Sequence, residues 1–98
     1  MSIIICVDTI FKGYDYNNIP IKIKLFKIHN KKDNAWISID NIVYSISKND
    51  NELLNIFKNF YGNDVKNFIL TDEIFKDIKK RILILEKLKK RKIGFLLD

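Results

Sequence analysis

The sequence predicts one α+β domain over residues 1–98, with a small antiparallel sheet packed against two short helices and one long C-terminal basic helix. Three observations support this class. Residues 19–25 alternate between apolar and polar side chains, and residues 72–90 carry apolar side chains at helical spacing. The chain is 47% hydrophobic and 31% charged, which is typical of a folded domain and not of a disordered one. Its 98 residues suffice for one modest core.

The predicted sheet consists of an N-terminal strand and a β-hairpin. Residues 2–7 form a β-branched run that is typical of a buried strand. Residues 19–25 and 35–39 read as two half-buried strands, and the polar residues 29–34 between them predict a wide, basic hairpin tip. The apolar face of the first hairpin strand would hold Ile19, Ile21, Ile23 and Leu25, and its polar face would hold Lys22 and Lys24.

Two short helices are predicted after this hairpin. The first covers residues 39–46, and the second carries an apolar stripe and ends at Gly62. Side-chain oxygens can accept hydrogen bonds from the free N–H groups at a helix start. The candidate N-caps are Ser38 or Asp40 for the first helix and Asp50 or Asn51 for the second. Residues 65–70 could add a short strand.

The long C-terminal helix is predicted from residue 72 to about residue 90, with Thr71 as its cap. Residues 93–97 would follow as a closing strand or as a tail of the helix. The expected core face consists of Ile74, Phe75, Ile78, Ile82 and Leu85, and the opposite face carries Lys76, Lys80, Lys87 and Arg91. Leu83 and Ile84 lie outside the core face, so either residues 93–97 cover them or they form a protein interface.

Positive charge is concentrated in residues 79–92, which hold eight basic residues and one acidic residue, whereas the whole chain carries +6. This cluster predicts nucleic-acid binding. Lysine acts as a point charge toward phosphate, and the chain has only two arginines to read bases, so we expect low sequence specificity. The predicted phosphate contacts are Lys22, Lys24, Lys31, Lys32, Lys76, Lys80, Lys87 and Arg91.

Two alternatives to this interpretation stay open. Isoleucine, lysine and asparagine fill 19, 16 and 11 positions, so an A+T-rich coding sequence could account for part of the lysine content. Tyr14, Tyr16 or Trp36 could stack on single-stranded bases, but we favour positions in the core or at a strand edge for them.

Catalysis and cofactor binding have little support in the sequence. The chain has one histidine, His29, and one cysteine, Cys6, which are too few for a structural zinc site. No phosphate-binding glycine loop or nucleophile motif occurs. Carboxylates such as Asp8, Asp15, Asp40 and Asp64 show no metal-ligand spacing. We therefore expect a non-enzymatic protein that has no cofactor and no metal.

The single cysteine is typical of a reducing, intracellular environment, and no apolar run approaches the ~20 residues of a membrane span. We expect no membrane association. The second functional hypothesis is a viral or accessory protein–protein interaction module without a nucleic-acid role. In this hypothesis Leu83 and Ile84 would contact a second copy of the chain or a host protein.

Two segments, together covering about residues 19–82, resemble the Bro-N domain, which is related to KilA-N domains of large DNA viruses and phages. The first segment is IKIKLFKIHNKKDNAWISIDNIVYSI and the second is NFILTDEIFKDIKKRI. The matching residues are Trp36, Ile37, Asp40, Ile42 and Val43 in the first, and Phe68, Ile69, Leu70, Ile74, Phe75 and Ile78 in the second. The resemblance implies DNA binding, a viral source, a location in the host cytoplasm or nucleus, and a helix that starts at Asp40.

Overall fold

The structure is a computed structural model that describes residues 19–97, so the strand predicted at residues 2–7 lies outside the described residues. The described part forms five strands, which are β1 (Pro20–Lys22), β2 (Trp36–Ile39), β3 (Ile42–Ser45), β4 (Asn63–Asp64) and β5 (Lys92–Leu97). Its four α-helices are α1 (Ile23–Ile28), α2 (Asn51–Ile56), α3 (Lys66–Thr71) and α4 (Ile78–Lys89), and a 3₁₀ helix covers Glu73–Lys76. The predicted α+β class is confirmed.

The strands form one mixed sheet in the order β1-β5-β3-β2-β4. The central pairs β5–β3 and β3–β2 are antiparallel, whereas both outer pairs, β1–β5 and β2–β4, are parallel. The predicted small antiparallel sheet is therefore confirmed for the central pairs only, and the outer pairs differ from it. A parallel pair needs a long crossover connection, and here most of the described chain separates β1 from β5.

The two faces of the sheet carry cores of different size, because alternate residues of β2 and β3 point to opposite sides. Ile37 and Tyr44 belong to the larger cluster, which we call the main core and which also includes side chains of α2, α3 and α4. Trp36 and Val43 pack on the other side, in a smaller cluster with Phe26 of α1. We call this second cluster the minor core; its buried members are Ile21, Phe26 and Val43.

The hairpin of the structure differs from the predicted one. β2 and β3 are joined by the two residues Asp40 and Asn41, both with positive φ (51° and 68°), and Ile39 pairs with Ile42 across the turn. Positive φ at both central positions is the requirement of a type I′ hairpin turn, which aspartate and asparagine tolerate well. Asp40 is thus a turn residue, and the helix predicted over residues 39–46 is wrong.

The predicted strand over residues 19–25 is shorter than expected. Only β1 pairs with the sheet, and the chain then turns into α1, which buries Phe26 instead of Ile23 and Leu25. Residues 29–34 therefore connect a helix to β2 and are not a hairpin tip. Lys22 lies in β1 and Lys24 in α1, so they do not share one strand face.

α2 begins at the predicted cap, Asp50, whose carboxylate accepts a hydrogen bond from the backbone N–H of Leu53 (3.1 Å). It ends at Ile56, six residues before Gly62, where it was predicted to end. Residues 66–71 form α3, and the short strand predicted there is wrong. The predicted closing strand near the C-terminus is present as β5.

The long helix begins later than predicted, because Asp77 interrupts it. Asp72 caps the 3₁₀ helix, and Asp77 has extended backbone angles (φ −77°, ψ 109°) and accepts hydrogen bonds from the N–H groups of Lys79 and Lys80. The break changes the rotation of α4 relative to the residues before it. The helix consequently buries Arg81, Ile84, Leu85 and Leu88. Ile78 and Ile82, assigned to the core by their spacing, are exposed.

Candidate nucleic-acid interface

The eight predicted phosphate contacts fall into three groups in the structure. Lys22 and Lys24 are exposed and line a shallow apolar pocket of about 300 Å³ together with Leu25 and Ile28 of α1. Lys31 and Lys32 are exposed in the loop before β2. The remaining four come from the 3₁₀ helix, α4 and the residues that follow: Lys76, Lys80, Lys87 and Arg91.

Two of these last four residues, Lys76 and Lys87, are engaged in ion pairs with neighbouring carboxylates. Lys76 contacts Glu73 at 2.8 Å, and Lys87 lies 3.1 Å from Glu52 and 3.5 Å from Asp50. The hydrogen bond to Glu52 raises the pKa of Lys87 above its ordinary value, and the hydrogen bond to Glu73 does the same for the pKa of Lys76. Because these charges are largely balanced within the protein, they attract a polyanion less than Lys80 and Arg91, which are exposed.

Two grooves flank the loop of residues 30–35. The first, of about 450 Å³, is edged by Lys32 and Lys58, and we call it the Lys58 groove. Its other lining residues are Asn51, Leu54, Asn55 and Tyr61. The second, of about 400 Å³, is edged by Lys48 and Arg91, and we call it the Arg91 groove. It is also lined by Asp33, Asn34, Ala35, Trp36, Ser45, Ile46, Ser47 and Asn49.

The two grooves are adjacent, since consecutive residues line them. Lys32 lies in one groove and Asp33 in the other, and Asn49 and Asn51 are divided in the same way. The structure thus brings together positive charge from three separate segments, near residues 32, 48–58 and 91. The sequence analysis did not select Lys48 and Lys58, because single lysines in polar stretches carry no pattern that distinguishes them from ordinary surface residues.

Local hydrogen bonds hold the loop between the grooves in place. The side chain of Asn34 accepts from the N–H of Lys31 (3.0 Å), and the N–H of Asn34 donates to the carbonyl of Lys31 (3.0 Å). This reciprocal pair closes a tight turn. At the far side of the Arg91 groove, the Ser47 hydroxyl accepts from the N–H of Asn49 (3.2 Å), which orders the segment that carries Lys48.

Trp36 is half-buried and stacks on His29, with ring centroids 3.5 Å apart and planes inclined by 9°. Nδ1 of His29 lies 2.8 Å from the carbonyl oxygen of Leu25 and donates its proton to it, because a carbonyl can only accept. One face of the indole is therefore covered by the protein itself. This supports the structural interpretation of Trp36 over the base-stacking one, and Tyr14 and Tyr16 lie outside the described residues.

The carboxylates that were considered as metal ligands have structural partners where they are described. Asp40 forms an ion pair with Lys66 (2.6 Å). Asp64 accepts from the Ser38 hydroxyl (3.1 Å) and from the N–H of Lys66 (2.8 Å), which ties β4 to β2 and α3. Within residues 19–97, no group of three His, Cys, Asp or Glu side chains is arranged to hold a metal ion.

The two predicted interface residues of the last helix separate in the structure. Leu83 is 61% exposed, but Ile84 is only 2% exposed and belongs to the main core. The assignment of Ile84 to an interface is wrong because α4 begins after the Asp77 cap and turns Ile84 toward the main core. Leu83 is instead accompanied on the surface by Ile78 and Ile82.

A scan of the sequence against models of known protein families finds no match, and a search among curated proteins finds none either. None of the helices described between residues 19 and 97 has the length and apolar character to cross a membrane.

Proposed function

We propose that this protein is a non-enzymatic nucleic-acid-binding domain whose main contacts are made by cationic side chains to phosphate, with DNA favoured over RNA. The observation that carries the proposal is the pair of adjacent grooves, each edged by two cationic side chains. Lys32 and Lys58 edge one groove and Lys48 and Arg91 edge the other.

The charge balance of the grooves favours a polyanion. Among the groove-lining residues between positions 19 and 97, Asp33 is the single acidic one, against four cations. A phosphate backbone recruits such cations because each contact releases condensed counterions. Asparagine side chains occur in both grooves and can donate hydrogen bonds to phosphate or sugar oxygens: Asn34 and Asn49 in the Arg91 groove, and Asn51 and Asn55 in the Lys58 groove.

Low sequence specificity follows from the kinds of cation available. Arginine reads guanine through a bidentate fork, whereas lysine contacts phosphate as a point charge. Of the two arginines in the chain, Arg81 is 4% exposed in the helix interface and only Arg91 lies in a groove. One arginine cannot specify a site of several base pairs.

A viral source, an intracellular location and a relation to the Bro-N domain belong to the same proposal. They are supported by the segments that resemble this domain and by the single cysteine of the chain. DNA binding by such a domain agrees with the charge of the two grooves.

The proposal is tested by fluorescence anisotropy with mixed-sequence DNA duplexes, single strands and the matching RNA, each of about 20 nucleotides, at about 50 and 200 mM salt. We expect salt-sensitive binding that varies little with sequence. Lys58→Glu/Arg91→Glu should weaken DNA binding by at least about tenfold and reduce the salt slope by about two.

The matched control is Lys22→Glu/Lys24→Glu, which makes the same change in net charge. The sequence also predicted these two lysines as phosphate contacts, but they line the pocket beside α1 and neither groove, so the groove proposal places them outside the main site. Absence of binding by the unmodified protein at the lower salt concentration would refute the proposed function. Equal losses in the two double variants would refute the assignment of the site to the grooves, because binding would then follow net charge alone.

A protein–protein interaction module is the second candidate function. It is favoured by the exposed side chains of Ile78, Ile82 and Leu83 on the outer surface of α4.

A further inference from the structure

The outer surface of α4 carries a short stripe that points directly away from the main core. At about 100° per residue, Lys79, Leu83 and Glu86 lie within about 60° of one another, with Ile82 beside them. Arg81, Ile84, Leu85 and Leu88 lie on the opposite side and are buried. Ile82 is 45% exposed and Leu83 61% exposed, so the stripe has an apolar centre with one cation and one anion at its two ends.

We propose that this stripe is a self-association surface that binds the same stripe of a second copy of the chain, with the two α4 helices antiparallel. This inference does not depend on the proposed nucleic-acid function. A two-fold axis through the point between Ile82 and Leu83 places Ile82 against the partner's Leu83. The same axis places Lys79 against the partner's Glu86, because both residues lie three and a half positions from the axis.

The charges of the stripe favour a second copy of the chain as the partner and an antiparallel arrangement of the two α4 helices. An antiparallel pair makes two equivalent Lys79–Glu86 contacts around an apolar centre, as an isologous interface requires. A parallel pair would instead oppose Lys79 to Lys79 and Glu86 to Glu86, and both contacts are repulsive. The sequence of α4 thus favours one of the two ways in which its outer surface can meet itself.

The neighbouring residues are compatible with this arrangement. Glu86 also lies 3.7 Å from Lys89 in the same helix, and a carboxylate can accept from both lysines because it has two oxygens. Lys87, on the flank of the stripe, is held by Glu52 and Asp50 of the α2 region and so points away from the interface. α4 has 12 residues and is about 18 Å long, so the contact area is small and the dimer is weak.

A charge-swap series in sedimentation velocity tests the proposal, at about 150 mM salt and from about 10 µM to 1 mM protein. The unmodified chain should shift from monomer to dimer across this range. Lys79→Glu and Glu86→Lys should each weaken the dimer by about fivefold or more, because each creates two like-charge contacts. The double variant Lys79→Glu/Glu86→Lys should restore it.

If the double variant Lys79→Glu/Glu86→Lys dimerises again, the restored contact between residues 79 and 86 must join two molecules. Residues 79 and 86 are seven positions apart, which is about 10 Å along one helix and too far for a direct contact. Lys80→Glu is the matched control: it makes the same charge change one residue away from Lys79, outside the stripe, and should leave the dimer intact.

Leu83→Glu probes the apolar centre. Because Leu83 is exposed, this change should leave the far-ultraviolet circular dichroism unchanged and abolish the dimer. The proposal is overturned by a chain that stays monomeric up to the highest concentration, by a dimer that survives Leu83→Glu, or by a double charge swap that fails to restore association.

Discussion

The two faces of the sheet show how unequally one small chain can distribute its apolar residues. Among residues 19–97, the main core has 14 buried residues, most of them from β2, β3, three α-helices and the 3₁₀ helix, whereas the minor core has three, on the side where α1 packs. Burial of apolar surface is the dominant favourable term in folding and scales with the area removed from water. Within residues 19–97, the stabilising burial of apolar side chains therefore lies mainly on one face of the sheet.

The surface near the minor core also exposes more large apolar side chains than the surface near the main core. Eight large apolar side chains in the described part of the chain are exposed, and five of them lie on or beside β1, α1 and the end of β5, around the minor core. These five are Ile19, Ile23, Leu25, Ile28 and Leu97. The other three are on the outer surface of α4. A helix of six residues such as α1 is too short to cover the face on which it packs.

The largest expected effect comes from truncating each core in turn. Phe57 is fully buried among Phe68 and Phe75, and Phe57→Ala should lower the free energy of unfolding by about 3–5 kcal/mol. Phe26→Ala should cost about half as much, because the small cluster around it can close over the cavity or admit water. Urea denaturation measures both values. Equal losses would mean that the minor core contributes as much as the main core.

A backbone contact tests the minor core more selectively. A Cβ atom at Gly94 would lie 2.3 Å from the carbonyl oxygen of Ile19 and 3.0 Å from Cδ1 of Ile21, so Gly94→Ala must displace β1 from β5. We expect a loss of about 1–3 kcal/mol in unfolding free energy.

Hydrogen exchange should locate that damage. The amide of Phe95, which donates to Ile19 (3.2 Å), should exchange faster in Gly94→Ala, while the amides of the β2–β3 pair keep their protection relative to global unfolding. Unchanged exchange at Phe95 would show that β1 does not depend on this close approach.

The smallest effect concerns a buried phenol of the main core. Burial, with a further contribution from the charge of Asp40, raises the pKa of Tyr44 well above its ordinary value of 10.0. Above pH 10 the unfolded chain therefore loses this proton while the native state keeps it, so stability falls with rising pH by at most about 1.4 kcal/mol per unit from this group.

Tyr44→Phe removes this titration and should flatten the decline of the urea midpoint between about pH 10 and pH 11. The comparison with the unmodified chain isolates Tyr44 from lysine deprotonation, which affects both proteins equally. Identical slopes in the two proteins would contradict the assignment of the effect to Tyr44.

Local signals in the sequence predicted part of the fold well. β2 lies where the sequence indicated a strand, and Asp50, one of the two candidate caps, starts α2. For residues 93–97 the sequence left a strand and a helix tail open, and the structure has the strand β5. Two further signals were present but were interpreted differently. Asp40 and Asn41 are residues typical of a tight turn, and Asp77 is a helix cap within a segment assigned to one continuous helix. Each can serve as cap or turn residue, and spacing alone does not choose between the two roles.

The sequence predicted that the candidate nucleic-acid interface is cationic, but it did not predict which residues form it. The excess of lysine identified a cationic protein, but the grooves depend on Lys48 and Lys58, which come close to Lys32 and Arg91 through folding. The cluster of basic residues in the last helix indicated the nucleic-acid interface less well than their number suggested. Lys87 is bound by acidic residues near the start of α2, more than 30 positions earlier in the chain.

The sequence by itself determined the α+β class, the strand β2 and the cationic character of the protein, because local propensity and charge act over a few residues. Tertiary structure decided the rotation of α4, the burial of Ile84 and Arg81, the exposure of Ile78 and Ile82, and the helix over residues 23–28, where the strand predicted over residues 19–25 ends early. The reason is that isoleucine and leucine satisfy either face of a helix equally well. Which of them is buried depends on where a cap starts the helix and on which surface the rest of the chain offers to it.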